Sequence, residues 1–175
     1  ANIGAFTLYA SRCRGATQVV ALEPVAATFD ALGSTLQANG LHTVRTIRKG
    51  IGARSERRTI HLGVTSQHAS LTFRGDPTYE SGATEVVDVL SLGDLLDDLR
   101  LPEVDMAKMD CEGGEVEPIL ASSDKTLRRI RHLSLEYHYP GGLSNDQEFF
   151  GRLAAAGFRC ARRSRAARTA QFVRT

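Results

Sequence analysis

The 175-residue chain has no long apolar run, no excess of one charge and only three cysteines. Each shortage excludes something. A bilayer-spanning helix needs roughly 20 consecutive apolar residues, and no such stretch exists. No charged, apolar and small-residue pattern of a secretory leader appears either. With 22 basic against 20 acidic side chains the formal net charge is +2, too little to steer the molecule towards nucleic acid or a membrane surface. Cys13, Cys111 and Cys160 are odd in number and lack zinc-like spacing, which suits free thiols in a reducing compartment. The expectation is a cytoplasmic protein with neither nucleic-acid nor membrane partners and an oligomeric state left open. No complete G-x-G-x-x-G run is present, which disfavours a dinucleotide oxidoreductase, and no repeat or low-complexity linker divides the chain.

What is present is an alternation of β-prone and amphipathic segments. Residues 18–23 predict a short strand. Val25, Phe29, Leu32 and Leu36 then fall at helical spacing within 25–38, and Asn39-Gly40 ends that helix. Strands are predicted at 42–47, 57–64, 69–74, 85–90, 104–109 and 131–137, with 57–64 and 69–74 forming an antiparallel pair or an excursion. Residues 75–84 are turn-rich. Helices are predicted after an N-cap at Ser91, over 115–122 and over 145–156. The tail, 158–162 and 170–174, predicts a closing antiparallel pair, its many arginines being a solvated hairpin face. This is one α/β domain over 1–175, with a largely parallel sheet.

Ligands of such sheets lie at the carboxyl ends of strands. Three acids fall there: Glu23, Asp110 and Glu136. Asp110 sits in the corner KMDCEGGE (108–115), between a predicted strand and a predicted helix. Acids suit helix starts, and Glu115 is read as such a cap. Gly113 and Gly114 are read as keeping the corner clear of side chains, leaving room for a ligand. Cys111 reads as a small buried residue, and Lys108 is given no role. Glu136 and His138 are two apart on a strand and so share a face. His138 is the best-placed general base, its intrinsic pKa being about 6.5. Asp110, Glu112 and Glu136 or His138 also form an oxygen-rich set that suits a divalent cation, although no metal site is assigned.

ANIG (1–4), ALEP (21–24), KMDCEGGE (108–115) and LSLEYH (133–138) together resemble, in order and spacing, the FkbM-type methyltransferases. The resemblance implies a Rossmann-like class I sandwich, mostly parallel with a C-terminal antiparallel pair. It implies S-adenosylmethionine as methyl donor and an O-methyl transfer to a hydroxylated small molecule, sugar or natural product. Asn2 and Gly4 would then approach the methionine part of the donor, and Glu23 would accept from both ribose hydroxyls. Asp110 would neutralise the donor's amino group or orient the acceptor, and Glu112 would contact the acceptor. Asp110, Glu136 and His138 form the expected catalytic set. Family members carry a strand and an Asp-x-Gly before the ANIG loop, whereas this chain begins inside it, which reads as an N-terminally truncated domain. The alternative is a truncated or degenerate Rossmann-like domain that binds rather than catalyses.

Overall fold

Gly4, at φ 101°, turns the chain directly into helix α1 (Ala5–Arg12). The computed structural model describes residues 1–13, 16, 18–64, 80–137 and 146–175. Strand β1 (Val20–Leu22) and helix α2 (Ala26–Ala38) are followed by β2 (Arg45–Ile47), β3 (Gly50–Ile51), β4 (Glu56–Gly63) and β5 (Glu80–Leu90). Then come α3 (Leu92–Asp98), β6 (Val104–Met109), α4 (Val116–Ala121), α5 (Asp124–Leu127) and β7 (Ile130–Glu136). Helix α6 (Asp146–Ala155) and the pair β8 (Phe158–Ser164) and β9 (Thr169–Arg174) close the order.

The local chemistry explains the helix starts. The Ser91 hydroxyl accepts the Asp94 N–H at 3.1 Å to cap α3, and Ser123 does the same for Thr126 at 3.1 Å in α5. Helix α2 follows Val25, which has nothing to cap with. Its Ala26 N–H donates instead to both oxygens of Glu85 on β5, at 3.3 Å each, and Glu85 pairs with Arg48 at 3.3 Å. A strand residue thus supplies the negative charge that this helix start favours.

The strands form three ladders: β1-β2, β3-β5-β4 and β6-β7-β9-β8. The β1/β2, β3/β5 and β6/β7 pairings are parallel, and the β4/β5, β7/β9 and β8/β9 pairings are antiparallel. The expected largely parallel sheet is corrected accordingly. The expected partner of 57–64 also changes. Strand β4 pairs with β5, which reaches back to Glu80, while 69–74 lies outside the described residues. The eleven residues of β5 serve both neighbours, its last two meeting β3 and most of its length meeting β4. No ladder among the described residues joins β1 to β6.

Side-chain packing joins what the ladders leave separate. The largest core sets Leu133, Leu135, Ala170 and Phe172 of β7 and β9 against Phe149 and Leu153 of α6 and Ile119 of α4. Alternation along a strand explains this face, since residues two apart point the same way. The opposite face presents Met106, 52% exposed, beside exposed His132. Leu95 and Leu99 of α3 pack with Leu90, Val20, Leu22, Ile47 and Ile51, bridging the first two ladders. Leu32 and Leu36 of α2, with Leu8 of α1, cover Ala21 of β1. No helix among the described residues is long and apolar enough to cross a membrane.

Candidate functional site at the strand ends

Glu23 follows β1 and is 7% exposed. A buried carboxylate needs hydrogen-bond donors to offset its lost hydration. Here Oε2 accepts the Asn2 N–H at 2.8 Å and the Ala1 nitrogen at 3.3 Å, and Oε1 accepts the Val25 N–H at 3.1 Å. The carboxylate therefore pins the 1–4 loop to the end of β1. With about four lone-pair directions in all, it retains room for a further donor. Asn2 sits at φ 52°, a left-handed conformation that Asn tolerates, and its Oδ1 accepts the Ile3 N–H at 2.7 Å.

Gly4 has a packing role of its own. A Cβ there would lie 2.8 Å from Leu32 Cδ1, so the missing side chain is what lets the loop pack on α2. Helix α1 has no side-chain cap and no acid in its first turn. Its leading N–H groups form a positive end without a counter-charge of its own.

The second half of the site is the 108–115 corner. Asp110, one residue beyond β6, pairs with Lys108 Nζ at 2.8 Å, and that ammonium lies 5.4 Å from the centre of the Phe6 ring on α1. The end of β6 thus meets the face of α1. Glu112 at φ 52° and Gly113 at φ 101° then turn the backbone through two left-handed residues. Glu115 is completely buried and accepts from the N–H groups of Cys111 and Gly113, the latter at 3.1 Å.

Two expectations change here. Glu115 occupies the N-cap position of α4 but makes no side-chain cap, because its carboxylate points back to hold the loop. The glycines likewise serve the loop itself rather than an open space. Gly113 supplies the positive φ, and a Cβ on Gly114 would lie 3.3 Å from both Cβ and O of Cys111. Cys111 is half-buried rather than buried, and desolvation of its thiol, then the charge of Glu115, pushes that thiol up to about 12.

Glu23 holds Asn2 and the loop that ends at Gly4 beside the end of β1. Lys108, the partner of Asp110, lies over Phe6 in the first turn of α1, the helix that this loop opens into, and Glu112 follows in the same corner. Glu136 ends β7, half-buried, and its neighbour Leu135 pairs with Met109 beside Asp110. His138 lies outside the described residues, as does the 65–70 segment. Among the described residues no three His, Cys, Asp or Glu side chains form a group that could hold a metal. A groove of about 560 Å³, lined by Pro24, Arg48, Arg57, Val86, Val87 and Asp88, includes none of the sequence-predicted residues.

The family model of the methyltransferase FkbM domain matches residues 1–160. The chain belongs to that family. Its fold is similar to the crystal structure of methyltransferase FkbM from Methylobacillus flagellatus, with a TM-score of 0.55 at 18% sequence identity. The likeness covers 89% of this chain and 36% of that one, so the chain spans only part of that protein's length. No curated protein matches the sequence.

Sequence reasoning passed over two residues of this FkbM domain. Lys108 is two residues before Asp110, and that spacing at a strand end places both on one face, a signal that was available. Glu115 carried no such signal. A carboxylate that caps forward and one that folds back onto its loop have the same sequence, and only burial tells them apart.

Proposed function

We propose that this FkbM domain binds S-adenosylmethionine at the 1–4 and 108–115 loops and methylates a hydroxyl of a small molecule, sugar or natural product. One observation carries the reading. The buried Glu23 carboxylate holds, through the Asn2 amide, the loop that opens into the uncapped start of α1, whose Phe6 ring meets Lys108, the partner of Asp110.

The residues present fit the donor's chemistry. The α1 amides suit a carboxylate, and the spare acceptor direction of Glu23 suits a ribose hydroxyl. Asp110 suits an ammonium, and the Lys108 ammonium already occupies one of its oxygens. S-adenosylmethionine supplies, when bound, an electrophilic methyl group on a cationic sulfur. The chain's own work is to position the acceptor oxygen for in-line attack and to remove its proton, which are the main sources of rate in such a transfer. We assign the proton to His138, orientation of the acceptor to Glu136 at the end of β7, and acceptor contact to Glu112.

In calorimetric titration with S-adenosylmethionine, Glu23→Gln is expected to weaken binding at least tenfold relative to the unsubstituted chain. Equal affinity would remove Glu23 from the donor site. His138→Ala is expected to keep donor affinity and lose turnover in a methyl-transfer assay on a panel of hydroxylated metabolites.

The same reading takes β1 and β6 as two sides of one Rossmann-like sheet, bridged by a further parallel strand. It is supported by the edges of both strands, which pair with nothing among the described residues, by the Ala1 nitrogen donating to Leu22 O at 2.6 Å, and by the exposure of Met106. Amide exchange tests it: Val20, Leu22, Asp105 and Ala107, whose N–H groups point away from β2 and β7, should exchange fast in residues 1–175 and slowly in a form of the protein that carries a strand between them. Fast exchange in both would sink the bridged sheet.

A further inference from the structure

The β8–β9 hairpin brings its turn, Arg165-Ala166-Ala167-Arg168, to the ligand end of the sheet. Glu136 pairs in register with Thr169, and the Tyr137 N–H donates to Arg168 O at 2.8 Å, so the turn sits level with the end of β7. Asp110 ends the next strand over. At about 4.8 Å per strand, the turn lies roughly 10 Å from it, within the span of a small molecule. Arg163 anchors the base of the hairpin. It donates from Nε to Tyr137 Oη at 3.0 Å and stacks 4.1 Å from the Phe150 ring centre.

Several arginines on the same half of the chain have acidic partners: Arg128 and Arg152 share Asp124, Arg129 has Asp97, and Arg131 and Arg174 share Glu103. Arg162, Arg165 and Arg168 are exposed and, among the described residues, have none. Arg168 also sits at φ 48°, a left-handed turn position where Gly or Asn is the unstrained choice. Arg165 and Arg168 thus present two exposed guanidinium groups, separated by two small alanines, at a single turn.

We propose that this turn binds a phosphate group on the methyl acceptor, so that the acceptor is a phosphorylated hydroxy compound. Each guanidinium presents a planar fork matched to two phosphate oxygens, and a pair of them answers a dianion. The term acceptor rests on the methyl-transfer reading, whereas the anion site itself does not.

The test is a titration of inorganic pyrophosphate into residues 1–175 with no methyl donor present. Saturable binding is expected, weakened at least tenfold in Arg165→Gln/Arg168→Gln and unchanged in Arg45→Gln/Arg57→Gln, a pair of exposed arginines elsewhere. Arg168→Gly separates anion binding from folding: it should raise the melting temperature by relieving the turn while weakening pyrophosphate binding. Unchanged affinity in the turn variants, or an equal loss in the control pair, overturns the proposal. Tighter binding of single-stranded oligonucleotides that grows with their length overturns it in favour of nucleic acid. Donor affinity, measured separately on Glu23→Gln, fails or stands independently of these outcomes.

Discussion

Replacing Glu115 with Ala would leave the Cys111 and Gly113 N–H groups facing a small cavity instead of a carboxylate. Both donors would lose their acceptor inside the protein, and no water reaches a completely buried side chain cheaply. Removing one partner of a buried charged hydrogen-bond set costs about 3–5 kcal/mol. Glu115→Gln keeps the shape and one acceptor oxygen and should cost about half as much. Urea unfolding of the two variants measures this, and a loss below about 1 kcal/mol for Glu115→Ala would show that the loop holds itself. The acids of this corner were visible in the sequence, but their division of labour was not. Asp110 faces outward with Lys108, whereas Glu115 turns inward, and that sorting depends on how deeply α4 packs against the sheet.

At the scale of elements, two glycines make opposite forecasts. Gly4→Ala puts a Cβ 2.8 Å from Leu32 Cδ1 at a positive φ. The left-handed backbone costs about 1–2 kcal/mol and the overlap about 1–3 more. Gly33 lies inside α2 with nothing within 4 Å of its absent Cβ, so Gly33→Ala should stabilise by about 0.5–1 kcal/mol. Thermal melts of both variants should move in opposite directions, and a shift of the same sign would break the packing argument. Most elements were legible because their signals are local: the Leu32/Leu36 stripe, the Ser91 cap and the closing pair at the tail. The partner of β4 was not. Pairing of β4 with β5 joins residues such as Arg57 and Asp88, far apart in sequence, and depends on which edges are free once the core has formed.

For the whole molecule, two exposed carboxyls tie distant segments together and set its response to acid. Hydrogen bonds from Ser55 and then Ser91 hold Asp94 below its ordinary value, and a hydrogen bond from Arg174 does the same for Glu103. A depressed folded-state pKa means stability that is present above the unfolded value, about 4, and lost as pH falls through the folded one. The melting temperature should therefore drop on acidification below about pH 4. An Asp94→Asn/Glu103→Gln variant should melt lower than the unsubstituted chain at pH 7, and the gap should close in acid. A gap that stays constant with pH would mean that the two carboxyls contribute through packing alone.

In residues 1–175, where no ladder among the described residues joins β1 to β6, the candidate site has a mechanical character. Glu23 belongs to one hydrogen-bonded plate and Asp110 to another, and between the plates run side-chain contacts that slide more easily than a ladder stretches. A molecule gripping both acids would act as a rivet across a seam. It would stiffen the protein against shear far more than its own contact area suggests. Occupancy of the site would then be readable as a force, in the load at which the two plates part.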